Sequence, residues 1–232
     1  MKEISYLTPN EVKGIYPELA SVYQSAFAGE PWFEVTKCED PKQSQSCVGG
    51  FSNLNLGEFC EVCKSLTIKP AYENEELIEK FDYLSKTRPT RWYLEKENGE
   101  ITMAAIAWKA VPFTIFNERY ADVPDMERWL NSQYWGNNIV WLDEVFADKS
   151  KSPAGNLKKF SAMCLTFARN LNCDTLAFRT INPKMTSAVK RDFPDKLNQV
   201  CGRGKIYKAN IDVPDRRDFV IISSMLPRGC KI

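Results

Sequence analysis

Cys38, Cys47, Cys60 and Cys63 stand in a C-x8-C-x12-C-x2-C arrangement. Thiolates are soft donors that suit zinc, and Cys60-x-x-Cys63 has the spacing with which one tight turn presents two sulfurs to the same ion. Four thiolates at about 2.3 Å make a closed tetrahedral site, suited to structure and unsuited to catalysis because no coordination position stays open for water. Free thiols, or one labile disulfide between Cys60 and Cys63, are the competing readings. A redox C-x-x-C normally opens a helix after a strand, whereas Gly57-Glu58-Phe59 and an irregular stretch precede this one, which favours zinc. Cys164, Cys173, Cys201 and Cys230 are scattered and read as small buried or incidental residues.

The chain contains no histidine, so the commonest general base and nitrogen ligand are missing. A catalytic base must then be a carboxylate, a backbone-assisted water or a less usual group. Asp143 and Glu144 lie side by side in the apolar run Ile139 to Phe146, which reads as a strand. Alternation sets Glu144 on a face with Val140, Leu142 and Phe146, and Asp143 on the other with Trp141 and Val145. Apolar neighbours raise a carboxylate's pKa towards the range of a base working near neutral pH. Glu144 is therefore the first candidate and Asp143 the second. Beyond the strand, a loop containing Gly155 runs into a helix over Asn156 to Leu171, and the free N–H groups at such a helix start can hold the diphosphate of a cofactor.

The elements that would position these groups follow from periodicity. Ile4 to Leu7 reads as a strand. Thr8, Pro9 and Glu11 then supply an N-cap, a first-turn proline and a capping-box partner for a helix whose apolar face, Val12 to Phe27, runs on to Gly29. Periodicity is lost from Glu30 to Lys64, and the cysteine-rich insertion is placed at 30–65. Asn74 to Leu84 is helical. Arg91 to Lys96 and Ile101 to Ala110 flank Asn98-Gly99, the pair that best tolerates a type I′ hairpin turn. Phe113, Phe116, Tyr120, Trp129, Tyr134 and Trp135 make 111–138 an aromatic-rich excursion, read either as packing on the sheet or as a substrate wall. Thr175 to Thr180, Lys205 to Asn210 and Phe219 to Leu226 are strands, and Pro183 to Phe193 is a short helix. Strands alternating with helices and hairpins describe a mixed α/β sheet in one domain over 1–232.

The segment WLDEVFADKSKSPAGNLKKFSAMCLTFARNLN, residues 141–172, resembles the central strand, pyrophosphate loop and following helix of the GNAT superfamily of N-acetyltransferases. The resemblance implies a mostly antiparallel central sheet flanked by helices. It also implies acetyl-coenzyme A as cosubstrate and a primary amine, in a small molecule or a peptide, as acceptor. Gly155 falls on the first glycine of the family's (Q/R)-x-x-G-x-(G/A) loop, while Ser152 and Leu157 replace its first and last signature residues, and Lys149 and Lys151 offer positive charge nearby. On the same ground Phe146, Ala147, Ala154, Asn156 and Asn182 are expected at the cofactor, and Glu144 or Asp143 at the amine. Val189 stands where the family usually has a tyrosine as general acid, so either the proton for the leaving thiolate would come from water or another tyrosine such as Tyr207, or the thiolate would leave unassisted. The alternative is a catalytically silent module of the same fold that binds a protein or nucleic acid through its zinc knuckle.

Bulk properties narrow the partners. Lysine and arginine number 31 against 30 aspartates and glutamates, so no basic field exists to neutralise phosphates and nucleic acid is disfavoured. No apolar run reaches the length of a membrane span, and the N-terminus lacks a signal-peptide core. A cytosolic location, in which cysteines remain reduced, is expected. A second copy of the chain is a further candidate partner.

Overall fold

Strand β1 (Lys2–Leu7) leads into helix α1 (Pro9–Val12). The Glu11 carboxylate accepts the Thr8 backbone N–H at 2.7 Å and the Thr8 hydroxyl at 2.6 Å, forming the expected capping box. The single helix expected to run on to Gly29 is interrupted, because a 3-10 turn (Lys13–Ile15) precedes α2 (Tyr16–Ala28). Pro17 is the cause: it has no N–H to give to the Lys13 carbonyl, and its fixed φ suits the first turn of a new helix.

The computed structural model describes residues 2–29, 32, 34–38, 51–60, 64–111, 114, 139–148, 150, 156–180, 182–194, 197–201, 205–208, 211–214 and 218–222. The chain divides into two compact units, Met1–Thr87 with Leu94–Ala104 and Phe146–Pro153, and Arg88–Tyr93 with Ala105–Val145 and Ala154–Ile232. Within the first, α2 and α3 (Asn74–Thr87) turn apolar faces into an aromatic core. Tyr23 is its centre, with ring centroids of Phe27 at 4.4 Å, Tyr72 at 5.0 Å and Phe146 at 5.0 Å. Phe81 stacks on Phe146 at 6.2 Å. Such pairs add about 0.5–1.5 kcal/mol each beyond the area they bury.

The stretch expected to be irregular contributes two strands, Thr36–Cys38 and Phe51–Ser52, to a small sheet. Strand β2 (Thr36–Cys38) pairs antiparallel with β3 (Phe51–Ser52) on one side and β4 (Thr67–Pro70) on the other. Strands of two to four residues are too short for alternation to register, which is why periodicity missed them. Lys37 and Lys69 reach Glu76 of α3 at 2.8 and 2.7 Å, tying two strands of this sheet to one helix.

Strands β5 (Thr90–Glu97) and β6 (Glu100–Ala110) meet at Asn98 and Gly99, whose φ values of 53° and 85° are those of the expected type I′ turn. Strand β7 (Ile139–Ala147) follows, then α4 (Asn156–Asn170), β8 (Leu176–Thr180), α5 (Pro183–Asp192) and β9 (Leu197–Cys201). Strands β10 (Lys205–Lys208) and β11 (Ile211–Pro214) form a hairpin of their own, and β12 (Asp218–Ile222) lies between β8 and β9. The main sheet has the order β1-β5-β6-β7-β8-β12-β9. Its β7–β8 pair is parallel, whereas β12 is antiparallel to both neighbours. The α/β class with a mixed sheet is thus the expected one. Among the described residues no helix is long and apolar enough to cross a membrane. The excursion at 111–138 falls outside the described residues except at 111 and 114.

Candidate active site

Strand β7 is buried from Ile139 to Leu142 and half-buried from Asp143 to Val145. Its parallel pairing with β8 covers Val140↔Leu176, Trp141↔Ala177 and Leu142↔Phe178. β7 then continues for five residues past Leu142, and β8 for two past Phe178. The change in burial coincides with the end of the ladder. In general, an extended ligand chain can add to a strand edge by pairing with its backbone N–H and C=O groups.

Asp143 and Glu144 sit where the ladder ends, on the alternate faces expected of them. The Trp141 indole N–H donates to Asp143 Oδ1 at 3.0 Å, a contact between residues two apart that requires both on one face of the strand. Glu144 therefore belongs to the other face. Asp143 has a structural duty towards a buried tryptophan, 1% exposed. Phe146 is 2% exposed, and its ring lies between Tyr23 and Phe81 in the first unit, so what it can offer a cofactor is backbone. Ala147 is half-buried at the strand's end.

Asp148, which sequence reasoning passed over, fixes the place where the chain leaves β7. It is 8% exposed, and its Oδ1 accepts the Ser150 N–H at 3.0 Å, the Ser150 hydroxyl at 2.6 Å and the Ser25 hydroxyl at 3.2 Å. Its own N–H donates to the Thr102 carbonyl at 3.0 Å. The available signal was Asp-x-Ser after a strand, the pattern of an Asx turn. Ser152, Ala154 and Gly155 lie outside the described residues. Asn156 and Leu157 open α4, a fifteen-residue helix long enough to direct N–H groups and a positive dipole end at an anion. In α4, Phe160 packs on Phe178 of β8 at 5.3 Å, which sets this helix on the strand that flanks β7.

Asn182 follows β8 and caps α5. Its Oδ1 accepts the Lys184 N–H at 3.0 Å, and its own N–H donates to Thr180 Oγ1 at 3.0 Å. The side-chain oxygen is thereby engaged in the turn that opens α5. Val189, where the resemblance leads one to expect a tyrosine, is fully buried in α5. Tyr207 is on β10, and its side chain is outside the described residues.

Comparison with solved structures gives this arrangement a context. An N-acetyltransferase from Staphylococcus aureus Mu50 superimposes with a TM-score of 0.51 at 12% identity, covering 96% of this chain and 98% of that one. A polyamine N-acetyltransferase from Drosophila melanogaster, which forms N-acetylagmatine, gives 0.56 at 10% identity over 96% and 100%. The chain has an N-acetyltransferase fold. The ribosomal-protein-S18-alanine N-acetyltransferase of Escherichia coli shares it too, with a TM-score of 0.51 at 10% identity over 100% and 99% of the two chains. No family model matches the sequence, and no curated protein matches it. What these neighbours share with the chain is the fold, at identities of 10–12%.

Of the four cysteines expected to hold zinc, Cys38 and Cys60 are both buried, in one cluster with Leu54, whereas Cys47 and Cys63 lie outside the described residues. Among the described residues no group of three or more histidines, cysteines, aspartates or glutamates is gathered to hold a metal ion. Cys164 and Cys173 are buried, as expected of incidental cysteines, and burial pushes both thiols up.

Proposed function

We propose that this protein transfers an acetyl group from acetyl-coenzyme A to a primary amine. The observation that carries the reading is the end of the β7–β8 ladder at Leu142↔Phe178 beside two strand carboxylates, on a fold shared with N-acetyltransferases of small amines and of a protein terminus. The pantetheine arm, an amide chain, is suited to pair with β7 backbone beyond Leu142, including that of Phe146 and Ala147. The diphosphate then falls to the segment Ser152, Ala154, Gly155, Asn156 and Leu157 at the start of α4. Asn182 shapes the turn on the β8 side.

In the proposed reaction the amine nitrogen attacks the thioester carbonyl, a C–N bond forms, and the C–S bond breaks to release coenzyme A thiolate. Glu144, directly or through a water, takes the proton that the amine loses, and water returns a proton to the thiolate because Val189 cannot. Asp143 is held as the second candidate base. The structural zinc expected at the cysteine insertion has no part in this chemistry, since a four-thiolate ion has no open position for a reactant.

Calorimetry with acetyl-coenzyme A tests cofactor binding, and a screen of amines in a thiol-release assay tests the reaction. Ligand binding to the native state must also raise the melting temperature. No heat and no thermal shift at millimolar acetyl-coenzyme A would overturn the proposal.

A further inference from the structure

We propose that Thr186, the fourth residue of α5, is a binding residue whose hydroxyl meets the pantetheine arm of acetyl-coenzyme A, an assignment that rests on the acetyl-transfer reading above. Thr186 is 8% exposed, and its buried hydroxyl oxygen finds no hydrogen-bond partner among the described residues. Such a group is a cost to the fold, and nearly all buried hydroxyls in native proteins are satisfied. The usual outlet for a threonine in a helix is the carbonyl four residues back. Here that carbonyl, of Asn182, accepts the N–H groups of Met185 at 3.0 Å and of Thr186 at 3.4 Å, but not the hydroxyl. Two other polar side chains of the same turn are engaged. Thr180 Oγ1 accepts the Asn182 N–H at 3.0 Å and donates to Met185 Sδ at 3.4 Å, and Asn182 Oδ1 accepts the Lys184 N–H at 3.0 Å.

The topology sets this hydroxyl at the end of the sheet where the candidate carboxylates stand. β7 and β8 run parallel, paired through Leu142↔Phe178, so their C-terminal ends lie together. Asp143 and Glu144 follow Leu142 on β7, and α5 starts three residues after Thr180 ends β8. Ligands of open sheets with parallel strands bind outside the carboxyl ends of those strands. A helical side chain leans towards the N-terminus of its own helix, so that of Thr186 leans back towards this end. It shares the buried face of α5 with Val189, whereas Lys184 and Ser187 are exposed.

The surroundings of the hydroxyl select an uncharged segment of the ligand. Pro183 has no N–H, and those of Lys184, Met185 and Thr186 are all given to Asn182. The start of α5 therefore lacks the free donors with which a helix holds a phosphate. One neutral hydroxyl suits a carbonyl or an amide. Within acetyl-coenzyme A those groups belong to the pantetheine arm and its thioester, not to the diphosphate.

The test is calorimetry and thermal unfolding of the full chain carrying Thr186→Val, which keeps the branched shape and removes the hydroxyl. The Kd for coenzyme A should rise roughly 3–10-fold, the range of one hydrogen bond. That for ADP, which has a diphosphate and no pantetheine arm, should not change. The melting temperature of the free variant should equal or exceed that of wild type, because the exchange relieves the fold of an unpaired group. Thr186→Ser, which keeps the hydroxyl, should hold close to the wild-type affinity. Unchanged coenzyme A affinity in Thr186→Val, or an equal loss for ADP, would overturn the assignment. So would a Thr186→Val chain that fails to fold or melts several degrees lower, since the hydroxyl would then serve the fold. Those results leave the acetyl-transfer reading standing, whereas wild type that binds no coenzyme A would overturn both.

Discussion

Exchange at the two neighbouring carboxylates separates chemistry from scaffolding. Asp143 accepts a 3.0 Å hydrogen bond from the indole of Trp141, itself 1% exposed. Asp143→Ala removes that acceptor, and a buried donor deprived of its partner costs about 1–3 kcal/mol. In a chain of this size each kcal/mol moves the melting temperature by about 2–4 °C, so a mid-range loss of about 2 kcal/mol lowers it by about 4–8 °C. Asp143→Asn keeps an accepting oxygen and should lose less. Glu144 lies on the opposite strand face, and Glu144→Gln preserves its shape while removing a basic oxygen. Its melting temperature should stay near wild type while turnover falls about 10²-fold, equivalent to about 2.7 kcal/mol of barrier. Differential scanning calorimetry reads the first effect, and the thiol-release assay with a screened amine reads the second. Full turnover in Glu144→Gln, with loss of turnover and unchanged melting in Asp143→Asn, would refute the assignment of faces.

Gly155→Glu should abolish acetyl-coenzyme A binding in calorimetry, by bulk and like charge at the diphosphate, with little change in melting temperature; unchanged affinity would move the phosphate site elsewhere. Phe81→Ala empties the aromatic core of a fully buried ring and should cost about 3–5 kcal/mol by denaturant unfolding, against a much smaller loss for the half-buried Ile78 of the same helix. The hydrogen bonds from Arg191 and Ser161 hold the Asp192 carboxyl down at about 2 from an ordinary 3.8. Because the folded-state value is depressed, its stabilising contribution is complete above the unfolded value near 4 and is lost as pH falls through about 2. The stability difference between wild type and Asp192→Asn, followed by circular dichroism from pH 7 to pH 2, should shrink across that window.

Legibility in the sequence followed the range of the interactions. The capping box at Thr8, the turn at Asn98-Gly99 and the apolar stripes of α3 and α4 are written within a few residues of one another, and each could be read from its own window. The break at Pro17 was equally local but was overridden by the apolar face on either side of it. Strands β2, β3 and β4 are held by pairing between distant segments and by Lys37, Lys69 and Glu76, which no periodicity reports. At the candidate site, alternation placed Asp143 with Trp141 and Glu144 apart from them. What alternation could not tell was that the Asp143 carboxylate bonds the indole, that Phe146 gives its ring to the core, or that Asp148 anchors the loop. Those depend on partners brought together by folding.

Strand β6 is buried continuously from Ile101 to Trp108. Most strands carry their alignment in the contrast between a wet face and a dry one, because a slip of one residue exposes the wrong set. A strand dry on both faces has no such contrast, and Ala104, Ala105 and Ala107 offer little difference in shape to replace it. Its alignment with β5 must then come from the ends. Two exposed residues, Asn98 and Gly99, with the help of the Thr102 hydroxyl on the Glu95 carbonyl at 3.2 Å, set the reading frame for an interior they do not touch. One residue added to or taken from that turn would shift the frame of the whole strand, so the most solvent-exposed part of the hairpin is also its least editable.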